Sequence, residues 1–360
     1  MAAFRLRKLW RDIHLWIGLT LTIVFVPLGL TGVWLIYDEP LDELLHPHRY
    51  EQSSSAEVLA PSRYFAAAAE AFGDRARPAQ LQMPAQPGGL ATVSSAPGLT
   101  AWIDTATAEV VDVGDPRHGV RAFMHQLHGN LFMGQAGRRL VGWLGVAMLA
   151  ACLTGLFIWW PVNNKIIKAL RWRRSPFVWS NLHHAVGFWI FLPLAILSFT
   201  GAAIAFPEAV RLVSGAAAQQ GGAGRGPSRN VAEPVAAAHL SVDQAVAAAQ
   251  ASAGGARLSQ VRLPAAGQAA SWQVVLQGQG GQTTVAVDDA TGAAAPAAGG
   301  GAGARRGPGD PVMRVIRELH EGEALGPVWR VLVVVAGFAP ALLGVSGIVL
   351  WARRRRLAAS

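Results

Sequence analysis

Ten histidines are spread over this chain of 360 residues, and six of them, His14, His125, His128, His183, His184 and His320, sit at or just before the start of apolar stretches. An ionisable side chain beside a lipid-facing segment is costly, and where one persists it marks a functional site. The spacing of these residues carries a second signal. With His14 aligned to His183, Gly18 meets Gly187, Thr31-Gly32 meets Thr200-Gly201 and Glu39 meets Glu208, without a gap. With His128 aligned to His320, Gly145 meets Gly337, Thr154-Gly155 meets Ser346-Gly347 and Trp159 meets Trp351, again without a gap. The chain therefore reads as two copies of one pattern: span, outer segment, histidine, span. Internal repetition of this kind fixes an architecture before any single residue does. Small residues at the matched positions suit close helix packing.

Each copy supplies one histidine near each membrane face. If the copies pack around a pseudo-two-fold axis, His14 pairs with His183 and His128 with His320. Two imidazoles converging at a membrane boundary suit the two axial positions of a haem iron, with the porphyrin lodged between facing helices. Such a six-coordinate centre has no open position for oxygen and serves electron transfer. Two of them, one near each face, would form a path across the bilayer. No Cys-x-x-Cys-His motif is present and the one cysteine, Cys152, lies inside a span, so the expected haem is held without a thioether link.

His125 and His128 share a helix face at i, i+3, so either could be the ligand at that end. His183 and His184 offer the same choice at the other. The matched spacing favours His128 and His183 and leaves His125 and His184 in reserve. The competing chemistry is a zinc or copper site built on His125-x-x-His128, with Glu318, Glu321 and Glu323 as further donors, because zinc takes four ligands. His46, His48, His118 and His239 read as ordinary interfacial histidines. Trp10, Trp16, Trp143, Trp179 and Trp189 crowd the same ends and match an interfacial aromatic belt.

The elements that must position these residues follow from composition. The chain is 52% hydrophobic and only 15% charged, which places it in the membrane class. Stretches 13–37, 140–164, 175–207 and 331–352 contain no Asp, Glu, Lys or Arg, and about 20 apolar residues suffice to cross a bilayer. The organisation predicted is a cytoplasmic start and first transmembrane helix over 1–39, an outer segment 40–138, a second helix 139–162, a basic loop 163–180, a third helix 181–207, an outer segment 208–330, a fourth helix 331–352 and a basic tail 353–360. The net charge of +9 is gathered in Arg5, Arg7, Lys8 and Arg11, in Lys165, Lys168, Arg171, Arg173 and Arg174, and in Arg353 to Arg356. All three clusters fall on one side of a four-span chain. That is the positive-inside pattern; it puts both termini in the cytoplasm and argues against nucleic acid as the partner. The first span is too long for a signal peptide and no small-residue cleavage site follows it, so it reads as a retained anchor.

The two outer segments have a similar plan. Pro61-Ser62 opens a helix-like run to Phe72, with strand-like pieces after it that end in Ala101-Trp102-Ile103-Asp104-Thr105. In the second segment Ser241 reads as an N-cap, and 258–263, 271–277 and 282–288 read as strands. Segments 215–230 and 292–309, rich in Gly, Ala and Arg, read as linkers.

"LRKLWRDIHLWIGL", "TGVWLIYDE", "HQLHGNLF", "NLHHAVGFW" and "ELHEG" together resemble the PepSY-associated transmembrane family, over essentially the whole chain. The resemblance implies a mainly α membrane protein with four transmembrane helices in two repeats and two small α+β PepSY-like periplasmic modules, set in the bacterial inner membrane. It also implies two haems b, an inner one on His14 and His183 and an outer one on His128 and His320, and an oxidoreductase that reduces a ferric siderophore or other ferric chelate. No flavin or nicotinamide motif is visible, so the expected electron donor is a quinol or a cytoplasmic reductase. Other function classes are a non-enzymatic PepSY-type binding or regulatory protein, a haem subunit serving another periplasmic oxidoreductase, and a metal transporter. The spans hold little polarity beyond Thr, Ser and Gly in mid-membrane, which disfavours passage of an ion.

Overall fold

A computed structural model describes residues 2–359 except 52, 54–56, 161–174, 215–232, 236, 268, 269, 280 and 298–310. Two compact units divide the chain: Met1–Asp38, Phe123–Gly221 and Asp310–Ser360 form one, and Glu39–Ala122 and Gly222–Gly309 form the other.

The first unit is built on four long helices: α1 (Ala2–Ile36), α5 (Gly134–Trp159), α6 (Val178–Ala205) and α10 (Gly326–Ala359). All are long and apolar enough to cross a membrane. Helices are the natural outcome for such sequences, because lipid offers no partner to an unpaired backbone group. Their outward faces are apolar, with Ile23, Leu153, Trp189, Leu192, Phe199 and Val345 exposed. The helices close into a ring in which α1 packs on α5 and α10, and α6 packs on α5 and α10. Glycines set the closest crossings. A Cβ on Gly29 of α1 would run into the carbonyl oxygen of Gly337 on α10, and one on Gly145 of α5 would lie 2.9 Å from the carbonyl oxygen of Ser198 on α6.

Arginines close the helix ends. Arg7 donates to the carbonyls of Ile158 and Trp160 at the end of α5, Arg138 to Ile204 O (2.7 Å) at the end of α6, and Arg330 to Ile36 O (2.7 Å) at the end of α1. A cation at a helix C-terminus satisfies orphan carbonyls and meets the negative end of the dipole. Each does so from the start of a neighbouring antiparallel span. Lys165, Lys168, Arg171, Arg173 and Arg174 of the expected basic loop lie outside the described residues.

Short helices flank the spans: α2 (Asp38–Leu45) and α7 (Pro207–Ser214) follow α1 and α6, while α4 (Val120–Asn130) and α9 (Pro311–Glu321) precede α5 and α10. Between α4 and α5, Leu131 and Phe132 take φ of 51° and 60°, a left-handed conformation that reverses the chain within a few residues. The third span starts at Val178 rather than near residue 181, so His183 and His184 lie within its second turn.

The second unit carries α3 (Pro61–Phe72), α8 (Val242–Ser252) and eight strands: β1 (Pro78–Gln82), β2 (Ala91–Ser95), β3 (Thr100–Ile103), β4 (Val110–Gly114), β5 (Arg257–Arg262), β6 (Ser271–Gly278), β7 (Gly281–Asp288) and β8 (Ala294–Pro296). All join one antiparallel sheet in the order β4-β3-β2-β1-β5-β6-β7-β8. The two chain segments meet at β1 and β5, where Leu81 faces Val261. Burial alternates along β2 and β6, as a sheet with one covered face requires. Tyr64 and Phe72 of α3, Val246 and Ala249 of α8, and Leu81, Ile103, Val261 and Leu276 of the strands belong to a single core.

Ser241 caps α8 in a full capping box with Gln244. Strands β4 and β8 were not expected. Ala294–Pro296 has no alternation and falls in a stretch read as linker; pairing with Val285 to Val287 makes it an edge strand. His46, His48 and His118 belong to this unit and contact Asp42, Glu51 and Asp115, while the His239 main-chain N–H is bonded by Asp289.

Asp289, 2% exposed, accepts from His239 N, Leu240 N and Trp272 Nε1 at 2.8 to 3.1 Å. Burial opposes its ionisation, but these donors outweigh it and hold the carboxyl below the ordinary carboxylate range. Asp289→Asn should therefore cost about 1–3 kcal/mol by leaving a donor facing donors, read as a lower thermal midpoint at pH 7. The stabilisation rests on the ionised form, so wild-type and variant midpoints should converge as pH falls through the depressed pKa.

Candidate functional site

Four histidines meet in two pairs at opposite ends of the four-helix ring. The ring centres of His14 and His183 are 6.4 Å apart, and those of His128 and His320 are 6.1 Å apart. His14 lies near the start of α1, and Leu28, beside which His128 sits, lies 14 residues further along the same helix. At 1.5 Å per residue that separation is about 21 Å. His183 lies near the start of α6, whereas His128 and His320 project from α4 and α9.

Each ring is held the same way. Nδ1 of His14 lies 3.0 Å from Ala151 O and 3.1 Å from Thr154 Oγ1. Nδ1 of His128 lies 2.9 Å from Leu28 O and 3.3 Å from Thr31 Oγ1. Nδ1 of His320 lies 3.0 Å from Thr200 Oγ1, and Nδ1 of His183 lies 2.8 Å from Ser346 Oγ. The main-chain carbonyls of Leu197 and Leu343 are also within reach of these last two rings. In every case the acceptors are a hydroxyl and the carbonyl three residues before it on a neighbouring span. The spans exchange this service. Helix α1 holds the histidine that precedes α5, and α5 holds the one on α1; α6 and α10 are related in the same way.

A glycine follows each hydroxyl residue. A Cβ on Gly32, Gly155 or Gly201 would lie 3.0, 3.0 or 3.1 Å from Cε1 of His128, His14 or His320, and one on Gly347 would lie 3.7 Å from Cε1 of His183. The glycines give the imidazoles room to lie flat on the helix. From the sequence alone these Ser/Thr-Gly pairs suit close helix packing. Their alignment with one another was visible in the sequence, but that each holds a histidine was not, because the partners are about 100 to 160 residues apart.

Beside His14 and His183 lies a cavity of about 270 Å³ with mainly apolar walls that include Met148, Trp159, Phe188 and Trp351. Gly18 and Gly187, one turn beyond His14 and His183, open onto it; a Cβ at Gly18 would meet nothing within 4 Å. Trp159 stacks on Phe188 with ring centres 4.1 Å apart. By contrast Trp10, Trp16, Trp143, Trp179 and Trp189 point outward, as an interfacial belt does.

His125 is not in either pair; its Nε2 lies 3.7 Å from Asp38 Oδ2. His184 lines the cavity with its ring 6.5 Å from that of His183 and turned by 84°. Burial pushes the His128 imidazole below its ordinary pKa, and burial together with the facing His128 pushes His320 down to about 4. Both rings are neutral at pH 7 and carry a lone pair. Among the described residues, no group of three or more His, Cys, Asp or Glu side chains converges as a metal-ion site. The four histidines are arranged as two pairs.

The glycine contacts separate two kinds of position. Gly201→Val should displace the His320 ring and lower stability in detergent by about 1–3 kcal/mol, as overpacking does. Gly18→Ala, pointing into open space, should leave the thermal midpoint nearly unchanged.

A protein-family model described as the PepSY-associated TM region matches residues 11–354. A search of curated proteins gives no match.

Proposed function

The chain belongs to the PepSY-associated transmembrane family, and from that premise we propose that it is a di-haem b electron-transfer protein of the bacterial inner membrane that reduces a ferric siderophore or similar ferric chelate in the periplasm. The observation that carries this reading is the pairing of imidazoles at both ends of the bundle. Two imidazoles on opposite sides of one metal, with metal–nitrogen bonds of about 2 Å, have ring centres about 6 Å apart. The separations of 6.4 and 6.1 Å fit that requirement. The open space at Gly18 beside an apolar cavity fits a flat, largely apolar group.

On this reading His14 and His183 would hold an inner haem and His128 and His320 an outer one. Bound there, haem would supply reversible one-electron exchange. The protein's own contribution is to fix the rings, exclude water with four apolar helices, and set two centres in line across the bilayer. His184, Arg11 and Arg354 line the inner cavity and offer polar and cationic partners to carboxylates at its mouth. Arg7, Arg11 and Arg353 to Arg356 lie where α1 begins and α10 ends, so the positive-inside rule supports cytoplasmic termini. Electrons would then run from a quinol or a cytoplasmic reductase to the periplasm. Ferrous iron binds siderophores poorly, so one electron delivered outside releases the metal. The matched histidine and glycine positions, together with the four strands and one helix that each outer segment gives to the sheet, support two repeats with a PepSY-like module apiece.

The protein purified in detergent should show sharp reduced bands of low-spin haem b and, by pyridine haemochrome, about two haems per chain. His128→Ala or His320→Ala should remove about one haem and spare the other; His125→Ala or His184→Ala should leave both. A haem-free protein from haem-replete cells would refute the reading and favour a binding or regulatory role.

A further inference from the structure

Each of the four paired histidines meets a hydroxyl that also bonds a carbonyl one turn back on its own helix. Thr31 Oγ1 donates to Pro27 O at 2.7 Å, Thr154 Oγ1 to Ala150 O at 2.7 Å, Thr200 Oγ1 to Ile196 O at 2.8 Å and Ser346 Oγ to Leu342 O at 2.8 Å. A hydroxyl has one proton and two lone pairs, so with that proton on the carbonyl of its own helix it accepts from the imidazole. The carbonyls of Leu28 and Ala151, 2.9 and 3.0 Å from His128 and His14, can only accept as well. Facing a carbonyl, Nδ1 carries the ring proton in His128 and His14, and the same pairing of hydroxyl and carbonyl assigns it to Nδ1 in His320 and His183, which leaves Nε2 the lone pair. Among the described residues, the contacts of these four rings run through Nδ1.

We propose that Thr31, Thr154, Thr200 and Ser346 are positioning residues that lock His128, His14, His320 and His183 in the Nδ1–H tautomer and set the donor strength of Nε2, each for its own pair. A ring nitrogen that donates its proton to good acceptors makes the opposite nitrogen more basic, and such partners orient ligating histidines. A free imidazole would present either nitrogen, and a histidine whose Nε2 held the proton could not ligate through that nitrogen. The arrangement separates the two ends: Thr154 and Ser346 act on the His14–His183 pair, Thr31 and Thr200 on the His128–His320 pair. The redox consequence rests on the haem reading above; the tautomer does not. A stronger Nε2 donor stabilises the oxidised iron, so each hydroxyl lowers the reduction potential of its own centre.

Two measurements on the full-length protein test this. Redox titration followed by visible absorption would compare wild type with Thr154→Val, Thr154→Ser, Thr200→Val and Thr200→Ser. Valine keeps the shape of threonine and removes the acceptor; serine restores it. Each valine variant should raise the midpoint of one haem only, a different one in the two cases, or weaken retention of that haem about tenfold or more, while the serine variants stay near wild type. Valine variants that titrate as wild type, serine variants that shift as far as valine, or loss of both haems from either change would overturn the proposal. Nitrogen-15 NMR of histidine-labelled protein prepared without haem should give Nδ1–H signals for all four residues, assigned by single replacement; Nε2–H signals would refute the lock. A wild type without haem but with Nδ1–H tautomers would sink the electron-transfer reading and leave the lock standing.

Discussion

Both ends of the bundle depend on one hydrogen bond made four times: an imidazole Nδ1–H given to the helix carbonyl or hydroxyl of a neighbouring span. It solves two problems at once. A buried ring needs a partner for its polar N–H, and a ring that is to bind something needs its other nitrogen unprotonated and aimed. The helix supplies an acceptor its own backbone does not exhaust, because a carbonyl has two lone pairs. The glycine beside it removes the side chain that would otherwise hold the ring away.

The rest of the membrane unit follows from that contact. Helices must come close enough for a ring on one to reach the backbone of the next, and glycines at Gly29, Gly337 and Gly145 bring them there. Arginines at the starts of spans tie the ends of their neighbours, which fixes the axial register on which the histidines rely. Arg138 and Arg330, which do this for α6 and α1, are themselves matched when His128 is aligned with His320. On the proposed reading, the ring of four helices is a frame whose purpose is to present two pairs of nitrogen lone pairs about 20 Å apart with no water between them.

Much of the candidate site was legible in the sequence. An apolar stretch without charges reads as a span by length alone, and a histidine at its end stands out because lipid makes it costly. The ungapped matches between His14 and His183, and between His128 and His320, named the partners that the structure brings to 6.4 and 6.1 Å. The roles of Thr31, Thr154, Thr200 and Ser346 were not legible, since a hydroxyl in a span more often bonds its own helix, and these do that too. Trp159 was a matched position in the sequence; that it lies buried on Phe188 beside the cavity depends on the packing of α5 against α6.

By itself the sequence determined what is local or periodic: four spans from uninterrupted apolarity, the α8 cap from Ser241 and Gln244, strands from alternation, and the pairing of histidines from the ungapped matches that surround them. Tertiary structure decided what depends on contact between distant segments. It joined the two segments between spans through β1 and β5 into one sheet, and made Ala294–Pro296 a strand by giving it Val285 to Val287 to bond. It also chose which ring nitrogen carries the proton. That choice has no counterpart in any stretch of sequence, because a tautomer is set by the acceptor facing the ring, and each acceptor here sits on another helix.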